Sequence, residues 1–242
     1  MLRHIRSQVA TIMFVAFVAA PLLSTGCAIS GTVVAMETAE ALKRGEVSVT
    51  AMGGLGGIPT PYPYNLCAGG GGRVRIGIGG NQEVRAEATG ITTGNDYFMA
   101  GGSVSYKLQL SSWAAIYSAA ELSGSFGTIQ PSAIFFGPMA GATVSTPSGW
   151  SDLQPYLNLR VSGGGHVDWQ PPREQQWSLR LFGSAAVGVM WAAHPGLRVY
   201  AEAGASQWAN DVLAGDGKPF AGLSMAYGGI GLEVLFNRHA TP

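Results

Sequence analysis

From Glu46 onward the sequence divides into ten runs in which polar and apolar residues alternate, separated by breaks rich in glycine, proline, asparagine and aspartate. Side chains alternate between the two faces of a β-strand, so this period of two predicts strands, and no amphipathic helical stretch persists in the same region. The runs are EVSVTAMGGLG, RVRIGIGG, EVRAEATGI, FMAGGSVSYKLQL, WAAIYSAAELSG, SAIFFGPMAGATVS, LQPYLNLRVSG, SLRLFGSAAVGVMW, LRVYAEAGASQW and FAGLSMAYGGIGLEVLF. We therefore predict an all-β fold of about ten strands, with eight and twelve as the alternatives.

The breaks between the runs alternate in length. Those after the even-numbered runs are short (NQ, SS, TPSGWSD, AAHPG), whereas those after the odd-numbered runs are longer and more polar, as in IPTPYPYNLCAGGGG or GGHVDWQPPREQQW. Short turns at one end and long loops at the other are typical of outer-membrane barrels, and most runs reach the 9 to 11 residues of a tilted membrane-crossing strand. The chain thus resembles the broad class of small bacterial outer-membrane β-barrels. The resemblance implies an antiparallel up-and-down transmembrane β-barrel with both chain termini on the periplasmic, short-turn side.

Charge is scarce in this chain. The 242 residues include 14 basic and 14 acidic side chains, and the charged fraction of 12% is about half the roughly 25% usual in soluble domains. Glycine is abundant, at 36 residues, which suits closely packed strands in a non-aqueous surrounding. The net charge of zero provides no field that would attract nucleic acid, so nucleic-acid binding is disfavoured.

The charges that are present fall on one face of the predicted strands. In EVRAEATGI, Glu83, Arg85 and Glu87 share one face, and small apolar residues occupy the other. A lysine or arginine facing lipid at the bilayer midplane costs about 2 to 4 kcal/mol, so we expect the charged face to line the lumen. In a narrow lumen these charges must pair in a mixed-sign ladder around the wall. The expected lumen charges are Glu46, Arg73, Arg75, Glu83, Arg85, Glu87, Lys107, Glu121, Arg160, Arg180, Arg198, Glu202 and Glu233.

The N-terminus is typical of an exported protein. Arg3 and Arg6 precede an apolar run of about 15 residues, shorter than the roughly 20 needed for a spanning helix, and STGC follows it. This resembles a bacterial lipoprotein signal peptide, with Ser24 where leucine is usual. The resemblance implies a signal peptide over residues 1–26, cleavage before Cys27 and acylation of Cys27, for example with palmitate. An ordinary signal peptide is the alternative.

The remaining residues complete the domain prediction. Residues 27–45 are expected to form a lipidated tether with one or two helical turns in METAEALKR. The tether is expected to dock on the near end of the barrel. The barrel covers residues 46–237, and a tail covers residues 238–242. If Cys27 is acylated, Cys67 has no intramolecular partner, and we expect no disulfide. The GGG and GGGG stretches are interpreted as flexible loops. Interfacial aromatic girdles are expected from Trp113 and Trp191 at the short-turn end and from Tyr97, Trp177, Trp208 and Phe220 at the loop end.

Three classes of function fit these features. The first is a narrow or plugged barrel with a structural, surface-recognition or slow-permeation role, because about ten strands leave little interior space. The second is a channel or transporter for small solutes. The third is a hydrolase resembling the ten-strand omptin proteases, with His166 and Asp168 in a long loop and Asp96 in another. The chain has no mid-strand histidine that would match the lipid A deacylases. Expected partners are outer-membrane lipids and small solutes or cell-surface ligands at the long loops, with no cofactor and no metal.

Overall fold

The computed structural model describes residues 35–57, 66–93, 97–127, 132–169, 176–209 and 224–236. The ten strands are β1 (Val47–Gly57), β2 (Leu66–Gly79), β3 (Gln82–Thr93), β4 (Tyr97–Gln109), β5 (Ala114–Gly127), β6 (Ser132–Ser145), β7 (Leu153–Trp169), β8 (Gln176–His194), β9 (Leu197–Ala209) and β10 (Ser224–Phe236). Each strand pairs with its sequence neighbours, and β1 pairs antiparallel with β10 to close the barrel. The predicted ten-strand antiparallel barrel is confirmed. Across the described ranges, no helix is long and apolar enough to cross a membrane.

The connections that follow the even-numbered strands lie at one end of the barrel, together with the start of β1 and the end of β10. Two-residue turns join β2 to β3 and β8 to β9. In the first, Gly80 and Asn81 both have positive φ angles, of 62° and 61°. Two consecutive residues in this conformation suit the right-handed twist of a hairpin, and glycine and asparagine adopt it readily. We call this the short-turn end. The connections after the odd-numbered strands, at the loop end, fall outside the described residues.

The two faces of the wall differ as the alternation predicts. Mid-strand apolar side chains point outward, with Leu122, Ile230 and Val104 exposed by 60%, 67% and 59%. The charged side chains alternate with them and point inward, so that Lys107 and Glu83 are fully buried. The barrel is therefore apolar outside and charged inside, the reverse of a soluble barrel.

Large aromatic side chains mark the short-turn end of the outer surface. Trp113 lies just before β5 and Trp191 near the end of β8, and each is about half exposed. Both lie where the girdle prediction expected them. The side chains of Tyr97, Trp177 and Trp208, and the whole of Phe220, fall outside the described residues, so the loop-end girdle stays a prediction.

Two glycine stretches belong to strands, and their interpretation as flexible loops is wrong. The GGGG stretch lies in β2, and GGG lies in β7, which continues to Trp169 and so carries His166 and Asp168 on a strand rather than in a loop. Glycine is required where neighbouring strands come closest: a Cβ at Gly164 would overlap the carbonyl oxygen of Phe136 on β6. Sequence reasoning ends a strand at a glycine cluster, whereas here the backbone pairing continues through it.

Tyrosine rings fill much of the wall's inner surface. Tyr156 and Tyr227 belong to a buried cluster with Met190 and Tyr200, and each lies against a glycine of a neighbouring strand. A Cβ at Gly188 would collide with the Tyr156 ring, and one at Gly204 would collide with the Tyr227 ring. The inward-facing glycines therefore make room for rings that lie flat along the wall.

The residues before β1 enter the barrel. Residues 35–46 form no helix, so the short helix expected in METAEALKR is wrong for this stretch. The chain runs inside the lumen, with a positive φ of 40° at Met36, to a turn at Gly45, whose φ is +80°, and then continues as β1. Docking on the near end of the barrel is also wrong, because Ala35, Glu37, Thr38 and Ala39 are buried. Side chains of the wall satisfy the backbone groups of this stretch, which offsets its local helical preference.

Candidate functional site: the occupied lumen

The lumen is occupied by residues 35–43, which we call the plug. Its contacts come from all around the wall, with partners on β2, β3, β4, β6, β9 and β10. Partners on six of the ten strands hold this segment inside the barrel. The candidate site is therefore the contact surface between the plug and the wall.

Glu37 is the central acidic group of the plug. Its carboxylate pairs with the Arg85 guanidinium of β3, and Lys107 Nζ of β4 lies 3.3 Å from its second oxygen. Thr143 Oγ1 of β6 donates a hydrogen bond to the same oxygen at 3.2 Å. The exposed fraction of the Glu37 side chain is 3% and that of Arg85 is 5%. A carboxylate buried this deeply needs both cations, because an unpaired buried charge is strongly unfavourable.

The carbonyl groups of the plug accept hydrogen bonds from cations of the wall. Lys107 Nζ donates to the carbonyl oxygens of Thr38 and Glu40, at 2.7 and 3.1 Å. Arg75 donates to the Glu40 carbonyl at 3.2 Å, and Arg198 pairs with the Glu40 carboxylate at 3.2 Å. The backbone carbonyls of Thr38 and Glu40 thus receive two cations of the wall, and the Glu40 carboxylate receives a third.

The amide groups of the plug donate to acceptors on the wall. Glu202 of β9 accepts from the N–H groups of Ala35 and Met36, at 2.7 and 2.6 Å, and also accepts from the Tyr156 hydroxyl at 2.9 Å. Nearer the short-turn end, the N–H groups of Ala39, Ala41 and Leu42 donate to Ser145, Gln109 and Glu83, at 2.9, 2.8 and 3.0 Å. Buried backbone groups require partners, and here the side chains of the wall supply them.

The ladder of charges on the wall has mixed signs. Arg73 pairs with Glu87 at 2.6 Å, while Arg75 contacts Glu83 at 2.7 Å and Glu233 at 2.8 Å. Tyr200 donates to Glu233 at 2.6 Å, and Arg198 lies 3.6 Å from the same carboxylate. The closed ring of strands brings these groups together from β2, β3, β9 and β10.

One juxtaposition on the wall would be unfavourable without the plug. Arg75 and Arg85 are direct neighbours across β2 and β3, and like charges in that position repel. Arg75 is neutralised by glutamates of the wall, whereas Arg85 is neutralised by Glu37 of the plug. Arg85 also lies 4.6 Å above the Tyr117 ring, a favourable cation–π geometry. The wall near Arg85 is thus complementary to a negatively charged segment.

The structure places most of the predicted lumen charges in the lumen. Glu46, Arg160 and Arg180 differ from the rest. Glu46 lies at the short-turn end, half-buried, where it accepts a hydrogen bond from the Lys43 N–H at 2.9 Å. Arg160 is half-buried and donates to the Tyr117 hydroxyl at 3.3 Å. The Arg180 side chain falls outside the described residues. The buried or nearly buried lumen charges are Arg73, Arg75, Glu83, Arg85, Glu87, Lys107, Glu121, Arg198, Glu202 and Glu233.

Sequence reasoning missed Glu37 and Glu40. The stretch METAEALKR has a helical pattern, and the residues before the first predicted strand were assigned outside the barrel. A partial signal was present in the lumen arginines Arg75 and Arg85, which face each other across neighbouring strands. Arg73 does pair with Glu87 as the mixed-sign ladder required, but the partner of Arg85 comes from the plug.

The candidate hydrolase residues receive no support from the described part of the chain. The side chains of His166 and Asp168 and the whole of Asp96 fall outside it. Among the described residues, no group of three or more His, Cys, Asp or Glu side chains could hold a metal ion. The described lumen charges form ion pairs and hydrogen bonds with one another and with the plug.

Cys67 takes part in a disulfide, so the expectation that this chain forms none is wrong. Cys67 lies near the loop end of β2 and its side chain is buried. The sequence contains one other cysteine, Cys27, which falls outside the described residues. A lipoprotein lipid is attached through the same sulfur atom, so one Cys27 cannot both carry the lipid and form a disulfide. Acylation of Cys27 stays a prediction.

Comparison with known proteins gives similarity of fold alone. No protein-family model matches the chain, and no curated protein matches it. The N-terminal β-barrel domain of Pseudomonas aeruginosa OprF is 13% identical, with a TM-score of 0.36 over 81% of this chain and 100% of that chain. Neisserial surface protein A is 15% identical, with a TM-score of 0.33 over 79% of this chain and 96% of that chain. The outer membrane protease OmpT from Escherichia coli is 11% identical, with a TM-score of 0.42 over 79% and 96%.

Proposed function

We propose that this protein is a barrel of the bacterial outer membrane whose lumen is closed by its own plug, and that it serves a structural or surface-recognition role. The observation that carries this proposal is the burial of Glu37 between Arg85 and Lys107 inside the ring of strands. A lumen held shut by buried ion pairs is unsuited to continuous passage of solutes. The recognition role belongs to the long connections at the loop end.

The proposed place in the outer membrane rests on the barrel's own surface. The outward face carries apolar side chains at mid-strand, such as Leu122 and Ile230, and tryptophans at the short-turn rim. A closed barrel leaves no unpaired strand edge, which a bilayer requires. The export signal predicted from the N-terminal sequence supports the same location.

Expression of the chain without its first 27 residues tests the membrane placement. We expect this chain to require detergent for solubility and to give a β-sheet circular-dichroism spectrum after refolding in micelles. A chain that is freely soluble without detergent, or that gives a helical spectrum, would contradict the proposal.

A channel function is the second candidate, and one observation favours it. The plug is held by side chains of the wall rather than by pairing as a strand, so it can leave without breaking the ladder of the barrel. In that case the closed state described here is the resting state of a small-solute pore. Vesicles that contain the refolded full chain distinguish the two roles: no release of an entrapped small dye supports a closed barrel, and steady release supports a pore.

A further inference from the structure

The groups that hold the Glu37 carboxylate all belong to the wall. Arg85 of β3 pairs with one of its oxygens, while Lys107 of β4 and Thr143 of β6 contact the other. All three side chains are buried. Two cations and one hydroxyl group provide charge-assisted hydrogen bonds to a carboxylate, which are stronger than those between neutral groups. We call Arg85, Lys107 and Thr143 the carboxylate site.

Arg85 is held in position by contacts within the wall. Its Nε donates a hydrogen bond to Ser105 Oγ at 2.9 Å, and its guanidinium lies 4.6 Å from the centre of the Tyr117 ring. That ring is itself confined, because it lies so close to Gly141 of β6 that a Cβ there would collide with it. None of these contacts involves the plug. The wall alone therefore fixes the direction in which Arg85 points.

Thr143 is oriented by a chain of hydrogen bonds along the wall. Arg160 Nε donates to the Tyr117 hydroxyl at 3.3 Å, which donates to Asn158 Oδ1 at 3.0 Å. Asn158 Nδ2 then donates to Thr143 Oγ1 at 2.7 Å, which leaves the Thr143 proton for Glu37. The chain begins at a cation, and every donor in it points towards the carboxylate. Linked hydrogen bonds of this kind polarise and strengthen one another.

The wall leaves the carboxylate site with an excess of positive charge. Lys107 lies 3.8 Å from Glu83 of the wall and is partly neutralised by it. Among the described residues, however, Arg85 forms its ion pair with Glu37 of the plug and with no glutamate of the wall. Arg75, its neighbour across β2 and β3, adds a like charge. Buried charge without a partner is strongly unfavourable, so the site favours an anion whether or not the plug supplies it.

We propose that the wall forms a ready-made binding site for a small free carboxylate, and that Glu37 fills this site as an internal substitute for the ligand. The ligand class is a monocarboxylate of about the size of acetate, bound between Arg85, Lys107 and Thr143. The inference rests on the proposed function, because the site lies in the lumen that the plug closes. A free carboxylate binds when the Glu37 side chain is absent or displaced.

Replacement of Glu37 by alanine in the full chain tests this site with acetate as the probe. The substitution removes a group that matches acetate in size and charge. The midpoint of urea unfolding in detergent, followed by tryptophan fluorescence, is measured in sodium acetate and in sodium chloride at equal ionic strength. We expect acetate to raise the midpoint of Glu37→Ala, since a ligand that binds the folded state stabilises it. The unmodified chain should give the same midpoint in both salts, because Glu37 fills its site.

A shift of equal size in the two proteins, or no shift in Glu37→Ala, would overturn the proposal. The refolding yield covers the case in which Glu37→Ala does not fold in chloride. We expect acetate to restore its folding, and an equally low yield in both salts would overturn the proposal. Failure of the closed barrel is seen separately, as dye release from vesicles that contain the unmodified chain.

Two further substitutions in the Glu37→Ala chain locate the acetate. Thr143→Val removes the hydroxyl group and keeps the shape of the side chain, so we expect half of the shift to require an acetate concentration about tenfold higher. Lys43→Ala is the matched control, because this side chain is exposed at the short-turn end and should leave the acetate response unchanged. An acetate response that Thr143→Val does not weaken would overturn the proposal.

Discussion

At the residue scale, the pairing of Arg85 with the plug tests whether the lumen is sealed or hydrated. It is buried and pairs with a carboxylate of the plug. Substitution of Arg85 by alanine leaves Glu37 with Lys107 as its remaining cation, at 3.3 Å. Loss of one member of a buried pair typically costs 3 to 5 kcal/mol, and since Lys107 stays in place we expect a loss of about 3 kcal/mol in the free energy of unfolding. Urea titration of the refolded protein in detergent, followed by tryptophan fluorescence, measures this loss.

Lys43→Ala is the matched control for that measurement. Its side chain is exposed at the short-turn end, so we expect a change within about 0.5 kcal/mol. The double variant Arg85→Ala, Glu37→Ala should lose less than the sum of the two single variants, because it leaves no orphaned charge. Strict additivity, or a negligible loss in Arg85→Ala, would indicate that water screens the pair.

At the element scale, the strands carry glycine where a tyrosine ring of a neighbouring strand needs space. A Cβ at Gly188 on β8 would collide with the Tyr156 ring, whereas nothing lies within 4 Å of a Cβ at Gly183 on the same strand. We expect Gly188→Ala to lower the free energy of unfolding by about 1 to 3 kcal/mol through overpacking. Gly183→Ala should leave it nearly unchanged. Equal effects of the two substitutions would show that the ring does not pack against the wall as described.

The elements also show which parts of the fold follow from the sequence. The alternation of EVRAEATGI predicted the inward face of β3, because a one-sided polar environment imposes a period of two. The run SAIFFGPMAGATVS matched the bounds of β6. The glycine stretches of β2 and β7 broke that pattern without ending the strands. The plug was not predictable from local pattern, since METAEALKR reads as helical and its non-helical form depends on side chains of distant strands.

At the scale of the whole molecule, the apolar outer surface predicts how the barrel sits in a bilayer. Leu122, near the middle of β5, should face the hydrocarbon core, whereas Leu153 begins β7 at the short-turn rim. We expect Leu122→Arg to cost about 2 to 4 kcal/mol in lipid vesicles and Leu153→Arg about 0 to 1 kcal/mol. Unfolding of both variants in vesicles by urea provides the comparison. A cost that does not depend on depth would contradict the membrane placement.

The most direct test of the occupied lumen is single-channel recording in planar lipid bilayers. The full chain is compared with a variant that lacks residues 28–43 and retains Gly45, Glu46 and all ten strands. We expect the full chain to be electrically silent, because buried ion pairs join the plug to the wall. The shortened chain should conduct, since removal of the plug leaves Arg85 facing an open path. Steady conductance of the full chain, equal to that of the shortened chain, would show that the plug does not close the barrel.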